Sequence, residues 1–355
     1  MAVYCQCDAV RIWDRGGVYL HMHTARLLIA LGALSISGWA QPSAGVAGPV
    51  TGFIFDTQMG AVRPMLGIPG AAYLGNSVVA TGLEAASVAP DGSAALALQQ
   101  NGKLVLYTGL RSGLPTALAV AGAIANPSYF AWAPNAGAAA VYSSRTGQGQ
   151  ILTSLAPSPA AAAPIDLSSL PGQVTLLAFD GQRLIVGVAS GASGGIYLAS
   201  ASAGIQRIAP AVSPSAIALA GSSLFFSDSQ SQQIFQVQNY AGTPAAVLFA
   251  NDSSISSPAG LQVSADGQRL FVANARSRKL VVYDIPSRAP AQNLDLNFTP
   301  TRLDLFGDSS VFLLNASGQG PLYVVRDGGT GKAAAVYFVP SPSKRRTLRA
   351  PIRPS

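Results

Sequence analysis

The chain contains few charged residues, cysteines and histidines for its length of 355 residues. Only 10% of the residues are Asp, Glu, Lys or Arg, whereas a typical globular protein has about a quarter. Apolar residues make up 49%, enough for a large core, so a disordered chain is not expected. A surface rich in uncharged polar residues is typical of exported proteins.

The pattern of residues 22–40 predicts a secretory signal peptide. A short basic opening ends at Arg26, eleven apolar or small residues follow from Leu27 to Ser37, and small residues flank Trp39 at the expected cleavage site after Ala40. The run is too short for a membrane-spanning helix, and the alternative is an ordinary buried helix. We interpret residues 1–21 as a leader that precedes the true start at Met22, and residues 41–50 as a linker.

Cleavage after Ala40 would remove every cysteine and histidine, because Cys5, Cys7, His21 and His23 all precede it. The remaining chain could form no disulfide and no zinc site of the usual Cys/His kind. It would also lack Cys and His as nucleophile or base.

The net charge of +7 is concentrated near one end of the sequence. Residues 341–355 contain five cations and no acid, and the body of the chain has no basic excess that would indicate nucleic-acid binding. We predict that this stretch is a disordered basic tail with either no function or weak contact with an anionic surface such as lipid or an acidic polymer. Its cations are Lys344, Arg345, Arg346, Arg349 and Arg353.

A repeat of 41 to 45 residues is the strongest signal in the sequence. Six times, a short apolar strand ends in a tight polar turn and a second apolar strand follows. Asp-Gly and related pairs suit these turns because they accept positive φ angles. The turns are centred at residues 91, 135, 180, 221, 266 and 307.

Four short strands per repeat predict the blades of an all-β propeller. We expect residues 51–340 to form one propeller, with seven blades favoured over six. The hairpin over residues 51–66 is predicted to join the final strand, near residues 333–339, in one composite blade that removes an exposed sheet edge. Equivalent first-strand residues are predicted to be buried between blades: Val88, Trp132, Leu177, Leu219, Val263 and Leu305.

Two repeats resemble known propeller families by motif. The stretch 264–284 has an Asp-Gly turn, a strand ending in Val-Ala-Asn, a polar hairpin and a strand ending in Asp, and it resembles the YVTN-type repeat. The stretch 224–237 resembles an NHL-type repeat. The resemblance implies the propeller fold and says little about function, because such propellers have many activities.

The sequence offers little support for the chemistry of propeller enzymes. Quinone-dependent sugar dehydrogenases rely on a histidine base, which the cleaved chain would lack. Gluconolactonase and regucalcin relatives hold a divalent metal with Glu, Asn and Asp, but Glu84 is the only Glu here and lacks that family's Glu-Gly-Pro context. We therefore assign no catalytic residue, metal ligand or cofactor.

Four residues are candidates for binding. Tyr129 and Trp132 could form an aromatic platform for a sugar or peptide, with packing between blades as the alternative. Asp228 ends a strand, and the favoured alternative to binding is that it caps a hairpin. Asp252 lies in a polar loop that could hold a hard cation, although no Asp-x-Asp-x-Asp spacing supports it.

These observations favour an exported, periplasmic or extracellular scaffold that binds a protein or glycan as a monomer. The alternative is a metal-dependent hydrolase or lactonase that uses Asp residues at the propeller channel. The absence of histidine and the single glutamate favour the scaffold.

Overall fold

The computed structural model describes residues 48–340, except residues 80, 317, 319 and 330 and the side chain of residue 309. The described part is almost entirely β-structure and forms seven antiparallel sheets arranged in a ring as the blades of a propeller. The predicted fold class and the preference for seven blades are confirmed. The predicted leader, signal peptide and basic tail lie outside the described residues.

Each blade is built from consecutive strands, so the sequence repeat and the structural repeat coincide. Blade 1 has three strands, β1 (Val50–Asp56), β2 (Ala61–Leu66) and β3 (Tyr73–Leu74). Blade 2 has β4 (Leu83–Val88), β5 (Ala94–Gln99), β6 (Leu104–Thr108) and β7 (Thr116–Ala119). Blade 3 has β8 (Tyr129–Trp132), β9 (Ala139–Ser143), β10 (Gln148–Thr153) and two short strands that both pair with β10, β11 (Ala160–Ala161) and β12 (Ile165–Asp166).

The remaining blades have four strands each. Blade 4 contains β13 (Gln173–Phe179), β14 (Leu184–Ala189), β15 (Gly195–Ser200) and β16 (Gly204–Pro210). Blade 5 contains β17 (Pro214–Ala220), β18 (Ser223–Asp228), β19 (Gln233–Gln238) and β20 (Ala245–Ala250). Blade 6 contains β21 (Pro258–Val263), β22 (Arg269–Asn274), β23 (Lys279–Asp284) and β24 (Ala289–Asp295), and blade 7 contains β25 (Asp304–Phe306), β26 (Asp308–Leu313), β27 (Leu322–Arg326) and β28 (Ala335–Val339).

The core consists of apolar layers between neighbouring blades. Seven clusters of buried side chains are found among the described residues, and each joins two adjacent blades. Alternation along each strand sends side chains to both faces of a blade, so every blade contributes to two layers. The layers between blades 7 and 1 and between blades 1 and 2 close the ring.

The predicted composite blade is wrong. Among the strands that the structure describes, β28 pairs with β27 alone, in blade 7, and the hairpin of β1 and β2 belongs to a separate sheet with β3. The ring is therefore closed by packing and isolated hydrogen bonds, without exchange of a strand between the two ends of the propeller.

Strand β1 runs opposite to the first strands of the other blades. The Leu83 N–H, at the start of β4, donates to the carbonyl of Gly60, which follows the end of β1 (2.9 Å). Between ordinary blades, in contrast, the start of one first strand meets the start of the next, as in the bond from Tyr129 to Val174. The strands β1, β2 and β3 thus correspond to the second, third and fourth strands of an ordinary blade. The first strand is missing, and β1 is the innermost strand of blade 1.

The turn between β4 and β5 of blade 2 contacts the turn between β25 and β26 of blade 7, on the two sides of blade 1. The Gly307 N–H donates to the Pro90 carbonyl (3.0 Å), and the Arg111 guanidinium donates to the carbonyls of Gly307 (2.7 Å) and Asp91 (2.8 Å). These bonds link the first turns of the two blades directly and hold the ring together beside the strand-deficient blade.

Candidate binding site in the central channel

The first strands of all seven blades line a central cavity of about 320 Å³. Large aliphatic and aromatic side chains occupy equivalent places along these strands, and polar atoms form about half of the accessible wall between them. The main apolar side chains of the wall are Phe55, Val88, Phe130, Trp132, Leu177, Ile217, Leu219 and Leu305.

The six predicted first-strand residues occupy equivalent places in the structure and pack between blades, but they are half-buried and not completely covered. Each of the six side chains is half-buried and packs against the cluster between two blades. Five of them, all except Val263, also line the channel. A first strand has no neighbouring strand on its inner edge, so its side chains are covered by adjacent blades on one side and face the channel on the other.

Trp132 is held in a fixed orientation at the channel wall. Its indole Nε1 donates to the Ser87 hydroxyl of the neighbouring blade at 3.1 Å. The indole N–H is thereby satisfied, and the ring presents its apolar surface to the cavity. Trp132 is thus the predicted candidate that the structure places in the channel.

Polar side chains occupy a small part of the wall. Arg302 and Asp304 form an ion pair, and each side chain is 46% exposed. Gln262 contributes a half-buried amide on the neighbouring blade. Asp304 is the single carboxylate among the channel-lining residues that the structure describes.

Tyr129 does not form a platform with Trp132, and it is absent from the channel wall. Its hydroxyl donates to the Val174 carbonyl of the next blade at 3.0 Å, and its ring lies 5.9 Å from that of Tyr142. These contacts match the alternative of packing between blades.

The bond from Tyr129 belongs to a recurring link between blades. The hydroxyl of Thr175 donates to Pro214 (2.7 Å), and that of Ser215 donates to Pro258 (2.8 Å). In each case a side chain near the start of one first strand bonds to a carbonyl at the start of the next. Three such bonds join the four consecutive blades 3 to 6, and Tyr129 makes the first of them.

The carboxylate of Asp228 is buried and accepts hydrogen bonds from the backbone of neighbouring segments. Only 2% of the residue is exposed. Its carboxylate accepts backbone hydrogen bonds from Val212 (2.7 Å), Ser213 (3.2 Å) and Gln230 (2.9 Å). The carboxylate therefore ties the loop before blade 5 to a hairpin turn within it.

Asp252 also bonds within the fold. It accepts hydrogen bonds from the Ser254 N–H and the Tyr283 hydroxyl, both at 2.9 Å. Burial by itself raises the pKa of Asp252, but these hydrogen bonds outweigh it, and the net pKa is lowered. Burial and the neighbouring carboxylate raise the pKa of Tyr283.

Within residues 48–340, apart from the omitted positions, no group of three or more His, Cys, Asp or Glu side chains is placed to hold a metal ion. Across the same residues, no helix is long and apolar enough to cross a membrane.

Sequence reasoning missed Phe55, Gln262 and Arg302 as channel residues. Phe55 lies on the reversed strand, which the repeat did not include. Gln262 and Arg302 could have been found, because they lie on or just before first strands whose apolar residues the repeat had already aligned.

Fold and site together define a seven-bladed β-propeller whose channel is lined by the first strands of its blades. No family model matches the chain, and no curated protein matches it in sequence. Solved structures with a similar fold include a protein from Lactobacillus plantarum (12% identity, TM-score 0.61, covering 82% of this chain and 96% of that one). Others are a putative 6-phosphogluconolactonase from Bacteroides fragilis (10%, 0.57, 82% and 94%) and apo AztD from Citrobacter koseri (13%, 0.56, 82% and 83%). At these identities the likeness shows the fold alone.

Proposed function

We propose that the chain is an exported, non-enzymatic propeller of the YVTN/NHL type that binds a partner protein through its central channel. The apolar side chains that successive first strands contribute to the channel wall carry this proposal. A cavity of about 320 Å³ lies within the range of ligand sites, which are mostly apolar with a few polar groups that fix orientation.

The channel suits the insertion of a few apolar side chains. Complete burial of one Leu or Phe side chain contributes about 2–3 kcal/mol, whereas micromolar affinity needs about 8 kcal/mol. Two or three inserted side chains, with polar contacts at the surrounding loops, therefore give a specific but reversible complex. Arg302, Asp304 and Gln262 are the wall residues that would orient the inserted segment.

A protein partner fits this wall better than a glycan. A sugar presents many hydroxyl groups, and burying a hydroxyl without a hydrogen-bond partner is costly. The polar side chains of the described wall, those of Ser87, Gln262, Arg302 and Asp304, are outnumbered by its apolar side chains, and Ser87 and the Arg302–Asp304 pair already bond within the fold.

The alternative of a metal-dependent hydrolase or lactonase has less support. It requires several carboxylates at the channel, and Asp304 is the one that the described wall contains, already paired with Arg302. A rise in the unfolding temperature with added divalent cations would favour this alternative over the scaffold.

The channel can be tested with the apolar fluorescent dye 1-anilinonaphthalene-8-sulfonate. Replacing Trp13 and Trp39 with Phe leaves Trp132 as the sole tryptophan, so energy transfer from Trp132 reports dye in the channel. We expect saturable one-to-one binding that Ala86→Phe, which fills the cavity, and Leu219→Gln, which makes its wall polar, both weaken.

The matched control is Ala246→Phe, on an exposed position of the outer strand β20. It adds the same side chain away from the channel and should leave dye binding unchanged. Circular dichroism should show the same β-content for all variants. Equal binding by folded channel variants and control would contradict the proposed site.

A further inference from the structure

Blade 1 differs from the other blades on the side that faces the propeller axis. Its innermost strand, β1, corresponds to the second strand of an ordinary blade, such as β18 of blade 5. Asp56 ends β1 and Asp228 ends β18, and each carboxylate accepts hydrogen bonds from the N–H groups of the residues two and three positions on. In blade 5 a first strand, β17, pairs with β18, whereas no strand of the described chain pairs with the inner edge of β1.

The inner edge of β1 directs backbone hydrogen-bonding groups toward the axis. The Pro64 carbonyl of β2 accepts from the Gly75 N–H at 2.8 Å, on the outer side of β2. Phe53 lies opposite Pro64 in the ladder of β1 and β2. Because residues of an antiparallel strand bond alternately to the two sides, the N–H and C=O of Phe53 point away from β2. Those of Phe55, two residues further on, do the same.

The channel cavity extends to this edge. Phe53, Ile54 and Phe55 all line it, and so does Leu313, although Leu313 lies on β26, the second strand of blade 7. The cavity therefore reaches past the first strand of blade 7 toward β1. Phe53 is only 3% exposed, and unpaired backbone groups shielded from water are costly. A ligand with donors and acceptors at the spacing of a strand would satisfy them.

On the basis of the proposed function, we infer that the inserted part of the partner protein is an extended strand that pairs with the inner edge of β1 and completes blade 1. Addition of a strand to a sheet edge is an established mode of peptide recognition. The side chains of the strand would pack against the apolar residues of the channel wall.

The geometry also sets the direction of this strand. First strands run antiparallel to second strands in the other blades, as β17 does to β18. The bond between Gly307 and Pro90 links the turns of blades 7 and 2 beside Thr51, near the start of β1. A strand antiparallel to β1 ends at these linked turns, so its carboxyl end enters first. The partner is therefore a protein with an extended, apolar carboxyl-terminal segment.

The first strand of blade 5 provides a probe for this site. In blade 5, Ala218 lies opposite Phe225, which has the same place in its strand as Phe53. In the same register, Ala216 would lie opposite Phe55. The peptide Pro-Ser-Ala-Ile-Ala-Leu-Ala, the sequence of β17, would thus direct the N–H groups of its first two alanines to β1, and that of the isoleucine between them away from it.

The test is fluorescence anisotropy of this peptide, labelled with fluorescein at its amino end and titrated with the protein. We expect saturable one-to-one binding. N-methylation of either of the first two alanines should weaken it at least about fivefold, which corresponds to one hydrogen bond. N-methylation of the isoleucine is the matched control and should weaken it less than about twofold, because no hydrogen bond is lost.

A photoreactive leucine in place of the isoleucine locates the peptide. Ile217 of β17 packs toward the preceding blade, so the cross-links should lie on β1 and on blade 7. Cross-links to other blades alone would overturn the placement at β1.

Equal effects of N-methylation at all three nitrogens, or no peptide binding by a protein that binds the dye, would overturn the paired strand and leave the channel as an apolar site. Peptide binding that appears only after deletion of residues 41–47 would replace the partner with the chain's own amino-terminal segment.

Discussion

Replacing Gly307 with alanine tests how the propeller ring is closed. Gly307 has φ +78° and lies where the turn of blade 7 meets the start of blade 1. An added Cβ would overlap the carbonyl oxygen of Thr51, and it would lie 2.8 Å from the carbonyl carbon of Thr51 and 3.0 Å from the Cα of Gly52. All three are backbone atoms, so blades 1 and 7 would have to separate.

The expected cost has two parts. Alanine at a positive φ costs about 1–2 kcal/mol anywhere. Separation at this site also weakens the bond from Gly307 to Pro90, worth about 1 kcal/mol, and the charged bond from Arg111, worth about 2 kcal/mol. We therefore expect Gly307→Ala to lower the free energy of unfolding by about 4–5 kcal/mol in total.

Gly267→Ala is the matched control. Gly267 occupies the corresponding turn of blade 6 with φ +71°, and an added Cβ would meet no atom within 4 Å. Only the backbone strain of about 1–2 kcal/mol should be lost there. Urea unfolding followed by circular dichroism measures both variants. Equal destabilisation would show that the contact between blades 1 and 7 does not hold the ring closed.

Three further predictions concern bonds within and between blades. Arg63→Met leaves the buried Asp56 carboxylate without its partner at 2.8 Å, and urea unfolding should show a loss of about 3–5 kcal/mol that Asp56→Asn in the same chain partly restores. Tyr129→Phe removes one bond between blades, so the same assay should show a loss of about 0.5–1.5 kcal/mol, and dye binding should stay unchanged. Burial raises the pKa of Asp56, but hydrogen bonds from Arg63 and two backbone amides outweigh it and lower the net pKa. The stabilisation by Asp56 should therefore be complete above about pH 5 and be lost as the pH falls through the lowered folded-state pKa, whereas a pH-independent difference between wild type and Asp56→Asn would contradict this.

The repeat predicted most of the fold because each blade is a local unit. Polar turns such as Asp266-Gly267 mark the link between the first and second strands, and alternating apolar residues mark the strands. Each blade folds from consecutive residues, so a sequence period near 43 translates directly into blades.

The closure of the ring could not be predicted in the same way. The hairpin of β1 and β2 has an ordinary alternating pattern, and alternation is the same whichever way a strand runs. Its reversed direction depends on long-range contacts, such as that between Gly60 and Leu83. The common closure by strand exchange was therefore the natural expectation, and it was wrong.

The contacts of the four candidate binding residues could not be predicted from the sequence. Trp132 lies at the channel, but Tyr129, three residues earlier on the same strand, bonds to the next blade. Asp228 and Asp252 have the loop positions expected of ligand-binding residues, yet their carboxylates stabilise turns. Residue type and position do not distinguish a ligand-binding carboxylate from one that stabilises a turn, because both kinds of carboxylate occur in polar segments at strand ends.

The most direct test of binding in the channel is a crystal structure of the propeller soaked with 1-anilinonaphthalene-8-sulfonate. We predict density for the dye against Phe55, Trp132 and Leu219, with its polar end toward Arg302. An empty channel, with the dye bound only on the outer strands, would contradict the central claim.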